Sequence, residues 1–247
     1  MNIEAILSPQ LYEGRQLNQS HSSVAVDVLR ATSAICAAFA AGASQIVPLD
    51  SLEPLPDFRS QGYMIAAERN GMKLHGATCG NSPTEYLTMQ LNGAKLAYST
   101  TNGTVSILRA SDSDALYVGS FVNLSALANA IVEANSENLV ILCSGWKGDP
   151  SIEDTLFAGA LISRLMTALK SVTLVNDAAM MALDLWNVAS DNLYEYCLKA
   201  THVHRLMKLG CQADIRWSLQ IDACPLVPVY NRASASLQLS HTLGKND

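Results

Sequence analysis

Short runs of β-branched residues alternate with longer stretches rich in alanine and leucine along almost the whole chain. Parallel strands need a crossover between them, usually a helix, so this alternation points to the α/β class. The runs predict strands at Val24–Val28, Gln45–Leu49, Met64–Ala67, Lys95–Ser99, Ala115–Gly119, Asn138–Cys143 and Ser171–Val175. The segments between them predict helices at Ala31–Ala41, Pro83–Leu91, Thr104–Ala110, Leu124–Asn135, Ile152–Ala168, Asp177–Val188 and Asp191–Leu209. The expected architecture is α/β/α, mixed sheet layers flanked by helices. No Pro/Gly-rich linker divides the 247 residues, so one α/β domain over 1–247 is expected, with two similar sub-halves meeting near residues 120–140. Gly210 reads as a helix C-cap, Asp214–Tyr230 as a final strand and turn region, and Ala233–Asp247 as a frayed tail.

Only 15% of the residues are charged and 49% are hydrophobic, which excludes a disordered chain. The net charge of −6 argues against general nucleic-acid binding, so an anionic partner must be drawn in by local charge. The six cysteines form no CxxC pair, and the apolar runs around Cys36, Cys143 and Cys197 favour buried free thiols. The N-terminus reads as lacking a signal peptide, and the longest apolar stretch, Val24 to Ala43, carries Asp27 and Arg30. A cytoplasmic protein with no membrane partner is expected, and so apolar a chain is compatible with a homodimer.

The segment Val24-Ala25-Val26-Asp27-Val28-Leu29-Arg30-Ala31-Thr32-Ser33 carries the strongest chemical signal. A buried strand ends on an acid, then turns through an arginine and two hydroxyls into an apolar helix. An acid there is costly to bury without a partner. Arg30, Thr32 and Ser33 fall where free N–H groups and the helix dipole favour anions, and arginine adds a bidentate fork. A second junction runs Val140 to Lys147, through Ser144, Gly145, Trp146 and Lys147, and leads to Ser151-Ile152-Glu153-Asp154. Ser151 and Asp154 form a capping-box pattern. Glu153 and Asp154 read either as acids complementing a helix dipole or as Mg²⁺ ligands.

Three further segments belong to the set. Glu68-Arg69 closes a strand, either as a surface ion pair or as part of a site. In Gly80-Asn81-Ser82-Pro83-Thr84-Glu85, Ser82 is a good N-cap, Pro83 suits the first helical position and Glu85 completes a capping box. Gly80 and Asn81 are left over and could bring backbone close to a ligand. Thr100-Thr101-Asn102-Gly103-Thr104 follows a strand and opens a helix, and reads either as an anion nest without the lysine of a P-loop or as an inert turn. The histidines His21, His75, His202, His204 and His241 show no zinc spacing.

Together these segments resemble the 2-phosphosulfolactate phosphatase family. The resemblance rests on Val26–Ser33, Glu68–Gly71, Gly80–Tyr86, Thr100–Thr104, Gly119–Ala126, Cys143–Trp146, Glu153–Ala160 and Asn176-Asp177 in order, with His202, Arg205-Leu206 and Asp214-Ile215 fitting more loosely. It departs at His75–Cys79 and at His204. The resemblance implies a fold particular to that family and Mg²⁺-dependent hydrolysis of (2R)-phospho-3-sulfolactate to 3-sulfolactate and phosphate, a step in coenzyme M biosynthesis. Asp27, Glu68, Glu153 and Asp154 are the expected catalytic and metal-binding residues, a subset of them on the ion. Arg30, Thr32, Arg69, Asn81, Ser82, Thr101, Asn102, Gly103, Thr104, Ser144, Gly145 and Lys147 are the expected contacts of a small anionic substrate. The alternatives are a Mg²⁺-dependent phosphatase of another small phosphorylated acid and a non-catalytic binder of a small sulfonate or phosphate. A pure anion binder should avoid four acids near its ligand.

Overall fold

The computed structural model describes residues 1–12 and 20–240. Eleven strands form one mixed sheet: β1 (Asn2–Ile6), β2 (Ser22–Val26), β3 (Gln45–Leu49), β4 (Met64–Arg69), β5 (Met72–Lys73), β6 (Lys95–Ser99), β7 (Ala115–Gly119), β8 (Asn138–Cys143), β9 (Thr173–Leu174), β10 (Pro228–Asn231) and β11 (Ser236–Leu239). The helices are α1 (Pro9–Tyr12), α2 (Ala31–Ala40), α3 (Leu55–Ser60), α4 (Pro83–Leu87), α5 (Gly103–Arg109), α6 (Leu124–Ala134), α7 (Ile152–Ala168), α8 (Asp177–Ala189), α9 (Leu193–Cys197), α10 (Thr201–Lys208) and α11 (Gln212–Ser218). The expected α/β architecture is present.

The strand order is β5-β4-β6-β3-β11-β10-β7-β2-β8-β1-β9. Two parallel blocks, β4-β6-β3 and β7-β2-β8-β1-β9, are joined by the antiparallel hairpin β10–β11. Each outer contact of the hairpin, Val229 with Tyr117 and Leu237 with Ile46, is antiparallel. The blocks therefore run in opposite senses along the sheet, yet the carboxyl ends of β2 and β8 and those of β4 and β6 open on one cleft.

Helix α2 explains how the blocks are held. Every residue from Ala31 to Phe39 is buried, so the helix is core on all sides, as its run of alanines allows. Its neighbours in that core include Ala25 and Leu142 of one block and Ile46, Ala66, Leu96 and Tyr98 of the other. A second core packs β1, β2 and β8 against α6, α7 and α8. Asp27 and the start of α2 thus lie where the two blocks meet.

Three expectations are corrected. The segment Asp191–Leu209 is not one helix but a 3₁₀ turn, α9 and α10, with extended backbone at Ala200. Leu193 and Leu206 are both buried, but one straight helix would aim them about 140° apart. The break re-aims the second half. Asp214 does not open a strand: it sits in α11, buried by its pairing with Arg30. Within the expected tail, Ser236–Leu239 is a strand, because Ser236 is satisfied by the Gln45 amide (2.8 Å) and Leu237 is fully buried. The remainder of that tail, 241–247 with His241, lies outside the described residues. Gly210 does follow α10 with φ +78°. All six cysteines are free, with Cys36, Cys143 and Cys197 buried. Among the described residues no helix is long and apolar enough to cross a membrane.

Candidate active site

The cleft has a volume of about 330 Å³ and is built from strand ends. Asp27 follows β2, Glu68 is the penultimate residue of β4, Thr101 and Asn102 follow β6, and Trp146 and Lys147 follow β8. Asn81 comes from the approach to α4, and His202, Arg205 and Leu206 from α10. Arg30, Leu29, Asn70 and Gly71 complete the lining.

The four acids gather around one place but play different parts. Glu68 Oε1 accepts the Thr101 N–H (2.7 Å) and hydroxyl (2.8 Å), and Oε2 accepts the Gly71 N–H (2.6 Å). It ties two strand ends together. Asp154 Oδ1 accepts the Val28 N–H (2.8 Å) and Oδ2 the Gly145 N–H (3.0 Å), tying α7 to the ends of β2 and β8. Asp27 Oδ1 accepts the Ala31 N–H at 3.4 Å, and among the described residues no hydrogen bond reaches Oδ2. Glu153 Oε1 accepts from His202 Nδ1 (2.8 Å), and among the described residues Glu153 Oε2 is buried without a partner. Burial pushes the Asp27 carboxyl up to about 6, against the pull of His202, with Glu68 and Glu153 adding repulsion. Burial and the charges of Asp27 and Glu153 push Asp154 well above the ordinary carboxylate range. Among the described residues no three His, Cys, Asp or Glu side chains come together as a ready-made set of metal ligands.

Gly103 is required by the same acid. A Cβ there would stand 2.4 Å from Ala31 Cβ and 2.8 Å from Asp27 Oδ2. The start of α5 can close on Asp27 only without a side chain.

The cationic groups also divide. The Arg30 guanidinium is buried, donating to Asp214 Oδ2 (2.8 Å) and the Gly71 carbonyl (2.5 Å). Asp214 Oδ1 in turn accepts the Ser82 and Thr84 hydroxyls at 2.6 and 2.5 Å. Arg205 donates to the Asn70 carbonyl, and the Trp146 ring stacks on His202 at 5.4 Å and 10°. Lys147 Nζ lies 4.8 Å and Arg205 Cζ 5.8 Å from the Trp146 ring centre.

A sequence model of 2-phosphosulpholactate phosphatase matches residues 6–233. The chain is 39% identical over 199 residues to a protein of Prochlorococcus marinus, covering 78% of this chain and 82% of the relative. It is 36% identical to one of Thermosynechococcus vestitus (85% and 89% covered) and 34% identical to one of Pseudothermotoga lettingae (89% and 94% covered). Each of the three is named a probable 2-phosphosulfolactate phosphatase. The chain belongs to the 2-phosphosulfolactate phosphatase family.

Within this family member, Asp27, Arg30, Glu68, Asn81, Thr101, Asn102 and Lys147 line the cleft together. The other expected residues stand behind them. Thr32 Oγ1 accepts the Asp27 N–H (3.2 Å), Thr104 Oγ1 the Thr100 N–H (3.2 Å), and Ser144 Oγ bonds Ser106 Oγ (2.7 Å). Gly145 turns at φ +58° against the Asp149 carbonyl. Ser82 caps α4 through the Glu85 N–H (3.2 Å), but Glu85 accepts from Gly80 N and Lys73 instead of closing a capping box. Ser151 caps α7 likewise, and Asp154 reaches two strand ends instead. Arg69 does not line the cleft: it donates to its neighbour's carbonyl (Glu68 O, 2.6 Å) and to Ser99 Oγ (2.9 Å). Neither His75–Cys79 nor His204 reaches the cleft lining. Trp146, His202, Arg205 and Asp214 are the groups the sequence reading left without a role. The i, i+3, i+4 spacing of His202, Arg205 and Leu206, which puts them on one helix face, was the available signal.

Proposed function

We propose that this chain hydrolyses the phosphate monoester of (2R)-phospho-3-sulfolactate to 3-sulfolactate and phosphate, with Mg²⁺, as in coenzyme M biosynthesis. One observation carries the metal: among the described residues, Asp27 and Glu153 each keep a carboxylate oxygen free of protein hydrogen bonds, one at the cleft and one buried without a partner. An unpaired buried carboxylate oxygen is costly unless a cation or donor meets it. Mg²⁺ is commonly held by one or two carboxylates, with waters and substrate oxygens filling its shell. Asp27 and Glu153 would hold it; Glu68 and Asp154 have their oxygens engaged by backbone N–H groups. When bound, Mg²⁺ supplies positive charge to the phosphate oxygens and orients the attacking water.

The chain's own groups do the rest. Asn81, anchored to the Tyr98 hydroxyl, and Thr101 and Asn102 offer polar contacts to phosphate oxygens along the β6 side. Glu68 Oε2 takes a single N–H, so it retains a lone pair for the water's proton. A loose phosphoryl-transfer transition state rewards such positioning and electrostatics.

Phosphate release from phosphosulfolactate tests the reading. Turnover with Mg²⁺, its loss in EDTA and its return on re-adding the ion are expected. Asp27→Asn should fold and lose at least about 10³-fold in kcat. Release indifferent to EDTA rejects the metal, and an Asp27→Asn enzyme of near-full activity removes Asp27 from the chemistry. Faster hydrolysis of another phosphorylated acid in a substrate panel reassigns the substrate.

A further inference from the structure

Two cations on the cleft wall have no task in the proposed hydrolysis. Among the described residues neither Lys147 nor Arg205 has a carboxylate partner, whereas the Arg30 charge is offset by Asp214. Both stand beside the same indole ring, and both line the cleft. They come from separate elements, the turn after β8 and helix α10, so two independent parts of the chain bring charge to one place.

Each is held in a way that aims it. Lys147 occupies a left-handed backbone position, φ +56°, in a tight turn closed by Trp146 N–H to the Asp149 carbonyl (2.8 Å) and its reciprocal (3.1 Å). Glycine or asparagine suits that conformation better than lysine does, so the turn's shape does not call for this residue. Arg205 spends one N–H on the Asn70 carbonyl and lies over Gly71, where a Cβ would come within 3.3 Å of the guanidinium. An arginine has five donors, so the anchored fork keeps several for a ligand. The Trp146 and His202 rings stack on the same wall, 5.4 Å apart and 10° from parallel.

We propose that Lys147 and Arg205 form the subsite for the anionic group that is not transferred, the sulfonate or carboxylate, and so select phosphomonoesters that carry a second anion. This rests on the phosphatase reading and extends it to specificity. The reacting phosphate would sit beside Asp27 and Thr101, and the two cations would fix the other end of the substrate. Charge-assisted contacts of this kind raise discrimination more than they accelerate the chemical step.

The test compares wild type with Lys147→Met and Arg205→Met on three secondary phosphate esters: phosphosulfolactate, 2-phospholactate and glycerol 2-phosphate. Binding of 3-sulfolactate, which lacks the phosphate, is measured by calorimetry in parallel. Arg205→Lys keeps the charge should Arg205→Met disturb the fold. Each variant is expected to weaken 3-sulfolactate binding about 10–100-fold. The ratio of kcat/KM for phosphosulfolactate over glycerol 2-phosphate should drop at least about tenfold, mainly through KM. A drop shared by 2-phospholactate places the carboxylate in the subsite; one confined to phosphosulfolactate places the sulfonate there. Variants that bind 3-sulfolactate as wild type does, or that lose equally on all three esters, overturn the subsite. A wild type that hydrolyses none of the esters but binds 3-sulfolactate through these two residues overturns the phosphatase reading and leaves the subsite standing.

Discussion

Asp27 is held from three sides: the Thr32 hydroxyl accepts from its N–H, the Ala31 N–H reaches one carboxylate oxygen, and Gly103 presses against the other. Gly103→Ala is therefore predicted to hurt turnover more than stability. The new methyl would meet Ala31 and Asp27 at once, forcing a shift that costs about 1–3 kcal/mol. A carboxylate displaced by about an ångström can lose about 10²-fold in rate. Unfolding midpoints and kcat on phosphosulfolactate check it, and an unchanged kcat would show that Asp27 tolerates displacement. At this scale the sequence was informative wherever a polar residue followed an apolar strand, as at Asp27, Glu68, Thr101 and Lys147. It was silent where partners decide. Glu153 and Asp154 are neighbours at one helix start, yet one is left with an unpaired oxygen and the other is fully bonded. Arg69 looked as available as Arg30 but spends its donors locally.

At the scale of elements, a single ion pair assembles three helix starts. Arg30 precedes α2, Asp214 opens α11, and the hydroxyls of Ser82 and Thr84 bring in α4. Asp214→Asn would leave the buried guanidinium of Arg30 without its counter-charge. The expected cost is about 3–5 kcal/mol, a fall in Tm on the order of 10 °C. Thermal unfolding measures it, and a loss below about 1 kcal/mol would show the pair to be dispensable. Strands β3, β6, β7 and β8 were legible to the residue because their apolar runs end cleanly at turn signals. The split between α9 and α10 was not. No proline or glycine marks it, and only the need to bury both Leu193 and Leu206 requires it. Since α10 carries His202 and Arg205, an unbroken helix hid half of the cleft wall.

For the whole molecule, acids concentrated between two blocks are expected to tie stability to pH and, under the proposed metal role, to divalent cations. Asp27 and Asp154 hold their protons more tightly in the folded chain than in the unfolded one. Their contribution is complete below the unfolded value near 4 and, for Asp27, is lost as pH rises through about 6. The metal-free protein is thus expected to lose stability between pH 4 and 7. An ion held by Asp27 and Glu153, as proposed, would relieve that loss, so Mg²⁺ should raise Tm more at pH 7.5 than at pH 5. At a hundredfold excess over its Kd the gain is about 2.7 kcal/mol. Calorimetric scans with and without the ion test this, and the increment should vanish in Asp27→Asn. An equal increment at both pH values would separate the cation from these acids. The hairpin β10–β11 adds a consequence of timing. It follows in the chain every strand that it joins. As a nascent polypeptide emerges amino end first, both parallel blocks exist before the pair that bridges them. The enzyme's two walls can each take shape during translation, but they acquire a continuous sheet only once residues 228–239 have emerged, and a ribosome halted before them would release halves that lack this seam.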